Sequence, residues 1–117
     1  MMAFWKRLDN LLSSNEIVID RLKGSAHPKF PECIYPLNYG YLKGTSSIDG
    51  NEIDVWRGSM PDPLLVAIVC TVDSLKSDSE IKLLVGCTEN EINIINEFHN
   101  ESDYMSGIVI MRDSNLR

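Results

Sequence analysis

A mainly β fold, five or six short strands closed into a small barrel with a helix near each end, is what this chain predicts. Three observations carry that expectation. Apolar residues recur at helical spacing over 3–13 and again over about 89–99. Between them lie short β-branched or alternating runs bounded by turn residues. Those runs follow one another without helical crossovers, so the pairing is expected to be largely antiparallel. The chain has 117 residues and is expected to form a single domain, 1–117.

The first helix rests on Phe4, Trp5, Leu8, Leu11 and Leu12, whose spacing gives one apolar stripe. "EIVID", 16–20, reads as a strand, and 23–31 as a loop punctuated by Gly24, Pro28 and Pro31. Residues 33–42 are aromatic and extended, with Pro36 and Gly40 predicting an irregular or edge strand. Turn residues fill 44–51, and 52–58 alternates Ile53, Val55 and Arg57 against Glu52, Asp54 and Trp56, a strand with two different faces. The run 64–73 reads as a central strand buried on both sides, and 80–86 as another strand. Thr88 with Glu91 three residues later forms a capping-box pattern, opening a helix that buries Ile92, Ile95 and Phe98, with Ile94 near the stripe. "GIVIMR", 107–112, is the final strand. An OB-type barrel closes five strands over a chain of this length.

Seventeen acidic against eleven basic residues give a net charge of −6, without the basic face that nucleic-acid binding requires. The longest apolar run, Leu64 to Cys70, is far short of the ~20 residues that span a bilayer, and no signal-like stretch opens the chain. Cys33, Cys70 and Cys87 are odd in number and show no C-x-x-C spacing, so neither a disulfide framework nor a zinc site is expected. Reduced thiols fit a cytoplasmic protein. No nucleic-acid or membrane partner is expected. A homo-oligomer is the expected assembly, although the apolar stripe of the first helix suits packing on its own barrel as well as on a neighbour's.

Three clusters carry chemistry. In "TSSIDGNEIDVWRG", Asp49, Glu52 and Asp54 gather around Gly50, with the neutral Asn51 among them. Carboxylates at this spacing suit a hard cation such as Mg²⁺ completed by water and substrate phosphate; a polar turn favours the same residues. The strand that follows argues against a calcium EF-hand. In "KSDSEIK", Asp78, Glu80 and Lys82 alternate and share one strand face, either a solvated edge or a metal-plus-phosphate site. "YPLNYGY" places Tyr35, Tyr39 and Tyr41 within seven residues. Their hydroxyls serve either core packing or phosphate oxygens, and the basic Arg21, Lys23 and Lys29 upstream suit either surface or an anion.

Taken in order, these segments resemble the soluble, magnesium-dependent inorganic pyrophosphatases with an OB-type barrel. The stretch "YPLNYGYLKGTSSIDGNEIDVW" is similar to that family's tyrosine-rich strand and D-G-D-P-x-D-V metal motif. The resemblance covers about 16–100 and implies hydrolysis of diphosphate to two phosphates by a metal-bound hydroxide, with Mg²⁺ as cofactor and Mn²⁺ as its substitute. It implies metal ligands at Asp20, Asp49, Asp54, Asp78 and Glu80. It implies phosphate contacts from Arg21, Lys23, Lys29, Tyr35, Tyr39 and Lys82, and a catalytic set of Asp49, Asn51, Asp54, Lys82 and Tyr39. Asn51 stands where the family has its central aspartate, and His99-Asn100 where it has a late Tyr-Lys pair. These departures leave two alternatives: hydrolysis of another phosphoanhydride or a nucleotide, or a non-catalytic binding module that has lost activity. His99 is expected as a partly exposed residue at a helix end, and His27 as a loop residue.

Overall fold

The computed structural model describes residues 2–47 and 50–112, the side chain of Met2 excepted. Along the chain run α1 (Met2–Ser14), β1 (Ile17–Arg21), β2 (Asn38–Leu42), β3 (Asp54–Arg57), β4 (Leu65–Asp73), β5 (Asp78–Val85), α2 (Glu89–Phe98) and β6 (Met105–Met111). The six strands form one sheet in the order β1-β2-β3-β5-β4-β6. Every pairing is antiparallel except β3 with β5, which run parallel.

Strand alternation divides the apolar side chains between two cores, one on each face. Trp56, Ala67, Val69 and Leu84 point to the face covered by α2, where they meet Ile92 and Ile95 and the incoming Tyr35 and Leu37. Their neighbours Val55, Ile68, Leu83 and Val85 point to the other face and pack with Trp5, Leu8, Leu11 and Leu12 of α1. The stripe of α1 therefore lies on its own sheet. A two-toothed ion pair from Arg112 to Asp9, both contacts 2.7 Å, ties α1 to the end of β6. The capping box at α2 forms as its pattern predicts: Thr88 Oγ1 accepts from the Glu91 N–H and Glu91 Oε1 accepts from the Thr88 N–H.

Two expectations are corrected. The sheet is not closed into a barrel: β1 and β6 stand at opposite ends of the strand order. Closure of five strands would bring β1 to the free edge of β4, but β6 occupies that edge from Ala67 to Asp73. The aromatic stretch is also not an edge. Pro36 precedes β2, so it removes no ladder donor, and β2 lies inside the sheet between β1 and β3. Gly40 makes that position possible, because a Cβ there would overlap the Val18 carbonyl of β1.

No helix among the described residues is long and apolar enough to cross a membrane. Cys33, Cys70 and Cys87 are all free thiols.

The two kinds of glycine predict different losses. Gly40→Ala should lower stability by about 3 kcal/mol, since backbone rather than a flexible side chain must move. Gly24→Ala, in open space at φ +87, should lose only about 1 kcal/mol from its left-handed backbone. Urea unfolding of the two variants beside the parent checks the contrast.

Candidate active site

On the α2 face, beyond the apolar core, the same alternation lays out polar side chains. In β5 it aligns Asp78, Glu80 and Lys82 with the buried Leu84, and in β3 it aligns Asp54 with the buried Trp56. The parallel register pairs Val55 with Leu83, which brings Asp54 beside Lys82, and β2 adds Tyr39 opposite Trp56. Lys82 is only 6% exposed, so its ammonium must find partners within the protein. It donates to Asp54 Oδ2 and Glu80 Oε2, both at 2.7 Å, and to the Tyr39 hydroxyl at 2.8 Å. Three donors meet three oxygens.

Burial works against the Lys82 charge, but Tyr39, Asp54 and Glu80 outweigh it and hold the ammonium above the ordinary lysine range. Burial pushes the Tyr39 hydroxyl up, so it stays a neutral phenol. Its oxygen accepts from Lys82, and its own proton goes to the Asp54 carboxylate.

Behind this group lies an aromatic wall. Tyr39 meets Trp56 edge-on at 4.6 Å, and Trp56 meets Phe98 and His99 of the α2 end at 5.3 and 5.7 Å. The Trp56 Nε1–H donates to His99 Nε2 at 3.0 Å, so the imidazole proton lies on Nδ1, which faces the Met105 sulfur at 3.4 Å. His99 is 3% exposed, which corrects the expectation of a partly exposed histidine. Its spacing in Ile92, Ile95 and His99 continues the buried helical stripe, and that was the legible signal. Burial, with Lys82 nearby, lowers the His99 pKa to about 3, so the ring is neutral.

The remaining expected residues are distributed more widely. Tyr35 is buried 5.3 Å from Tyr39, ring to ring. Asp78 is half-buried, faces Asp73 across the β4–β5 turn and makes no ion pair among the described residues. Asp20 lies in the β1 bulge, exposed, and pairs with Arg21 at 3.5 Å. Lys23 and Lys29 are exposed loop residues, and Tyr41 lies opposite Asp54. Asn51 is exposed and its carbonyl closes a turn by accepting from the Ser47 N–H at 2.6 Å. Asp49 lies outside the described residues. Lys76, unremarked in the sequence reading, stands near His27 together with Arg21 and Lys29; burial first, and then these cations, lower the His27 pKa.

Among the described residues no three carboxylate, imidazole or thiol groups converge at metal-binding distance. Asp54 and Glu80 converge on Lys82 instead, each through one oxygen. Mg²⁺ typically takes one or two carboxylates and completes its shell with water and substrate phosphate, and the second oxygens of this hard-donor pair suit that mode.

The fold is similar to that of the inorganic pyrophosphatase from Helicobacter pylori, with a TM-score of 0.61 over 86% of this chain and 85% of that one, at 16% identity. At that identity the likeness is one of fold. No family model matches the chain. No curated protein matches it either.

The buried imidazole predicts acid sensitivity. Above pH 6.5 the folded and unfolded chains both carry neutral His99; below it the unfolded chain binds a proton that the folded one refuses until about pH 3. His99 should therefore subtract about 2 kcal/mol of stability between pH 7 and pH 5. Unfolding measured across that range should show a shallower slope for His99→Gln, which keeps an acceptor for Trp56.

Proposed function

We propose that this chain is a metal-dependent hydrolase acting on inorganic diphosphate. The observation that carries the reading is the Lys82 ammonium, buried yet held charged by Asp54, Glu80 and Tyr39. A solvated strand edge would not bury a lysine this deeply. The pyrophosphatase-like fold supports the same reading.

In this reading Asp54 and Glu80 would hold Mg²⁺, with Asp49 as a further carboxylate and Asp78 next along β5. Once bound, the ion neutralises phosphate charge and acidifies water, and Mn²⁺ serves as its substitute. Lys82 keeps its two carboxylate contacts and turns its third donor from Tyr39 to a phosphate oxygen. Tyr39 turns its hydroxyl proton from Asp54 to another oxygen of the same phosphate. The neutral His99, by fixing Trp56, holds the ring against which Tyr39 rests. Tyr35 and the loop cations Arg21, Lys23 and Lys29 complete the anion-binding side. Asp20, exposed and engaged with Arg21, would serve at the margin of the site.

Asn51 sets the rate. Its amide can orient a water but cannot take a proton, and a missing general base typically costs ~10²–10⁴ in rate. The enzyme is therefore expected to be slow, and to work in the cytoplasm.

Phosphate release from diphosphate decides the matter. With Mg²⁺ the parent should turn over slowly, and EDTA should stop it. Asn51→Asp should raise kcat by at least about tenfold, and Lys82→Met should lower it by about a hundredfold. A folded parent and a folded Asn51→Asp variant that both release nothing would sink the reading.

A further inference from the structure

The segment between β1 and β2 is more ordered than a plain loop. The Gly24 N–H donates to the Tyr35 carbonyl at 2.8 Å, Tyr35 N–H to Ser25 at 2.9 Å and His27 N–H to Cys33 at 2.8 Å, with an Ala26–Ile34 bridge between them. This short hairpin carries at its tip Phe30, between Pro28 and Pro31 and 55% exposed. The Phe30 ring lies 5.1 Å from His27, His27 stacks on Tyr35 at 6.2 Å with 12° between planes, and Tyr35 lies 5.3 Å from Tyr39. Tyr39 in turn touches Lys82. A row of rings thus runs from the buried ammonium to an exposed aromatic face.

Diphosphate fills only the Lys82 end of that row and gives Phe30 nothing to bind. The middle of the row is cationic: Arg21, Lys29 and Lys76 all act on His27, in a chain whose net charge is −6. The Arg21 guanidinium is lightly held: its contacts to Asp20 are long, 3.5 Å, and it also meets the hydroxyl of Tyr35, itself a member of the row. Spare guanidinium donors suit non-bridging phosphate oxygens, and an exposed ring suits a planar base.

We propose that the site takes a nucleoside triphosphate, its base stacked on Phe30 and its phosphate tail laid along the tyrosine row to Lys82. The inference rests on the hydrolase reading above and names a larger substrate for it. The oxygen of water bonds to the terminal phosphorus as the bond from that phosphorus to the bridging oxygen breaks. Nucleoside diphosphate leaves with the bonding electrons, inorganic phosphate keeps the water oxygen, and one proton passes to solvent.

The test compares ATP, GTP, CTP and UTP with tripolyphosphate, which carries the same phosphate chain without a base. Affinity is read by calorimetry with Mg²⁺, and phosphate release is followed in parallel beside diphosphate. At least one nucleotide should bind about tenfold more tightly than tripolyphosphate, the worth of one base–ring stack. Phe30→Ala should bring that ratio to about one, and Phe30→Trp should preserve it. Equal binding of nucleotides and tripolyphosphate, or a ratio indifferent to Phe30→Ala, overturns the proposal even if diphosphate is hydrolysed. A retained nucleotide preference with no release from any substrate supports the binding site and overturns the hydrolase reading instead.

Discussion

A charged amine kept from water is the constraint around which this structure is organised. Left alone, a buried ammonium is costly enough that it would lose its proton or stay at the surface. Lys82 does neither, because three strands deliver one oxygen each: Tyr39 from β2, Asp54 from β3 and Glu80 from its own strand. The parallel register of β3 against β5 is what brings Asp54 within 2.7 Å. Such pairs contribute little net stability, since desolvation offsets most of their attraction, but they penalise any packing that separates the partners. The group thus specifies the register as much as it strengthens the fold.

The aromatic wall serves the same end from behind. Trp56 is fully buried and stands between Tyr39 and α2, with its indole N–H satisfied by a neutral imidazole. A protonated His99 could not accept that bond, and its charge would sit near Lys82. Burial therefore selects the protonation state that the packing needs. The same economy of space appears at the edge of the sheet, where β6 covers β4 and leaves an open sheet with a helix on each face in place of a closed barrel.

Much of this was legible from residue order. The periodicity of α1 and α2, the Thr88–Glu91 capping box and the alternation in β3 and β5 are local signals, and the structure follows them. The grouping of Asp54, Glu80, Lys82 and Tyr39 was legible only through family resemblance, because nothing local links residues 39, 54 and 82. The unclosed barrel was not legible: strand count does not say whether the last strand or the first takes the edge of β4. The depth of His99 was missed because a polar residue at a helix end is ordinarily solvated, whereas here Met105 and Trp56 cover both ring nitrogens. The hairpin over 24–35 hid behind its glycine and prolines, which mark turns without saying what spans them.

The parallel pairing of β3 with β5 has a kinetic consequence. The β4–β5 hairpin closes over a turn of four residues, 74–77, and can form early. Docking β3 against β5 must span about thirty residues and waits on loop closure, which slows non-local contacts. Asp54 reaches Lys82 only at that later step. A chain that has formed its hairpins but not joined them carries an unpaired lysine and a scattered set of carboxylates. Burial of Lys82 among its three oxygen partners would therefore report that β3 has docked on β5.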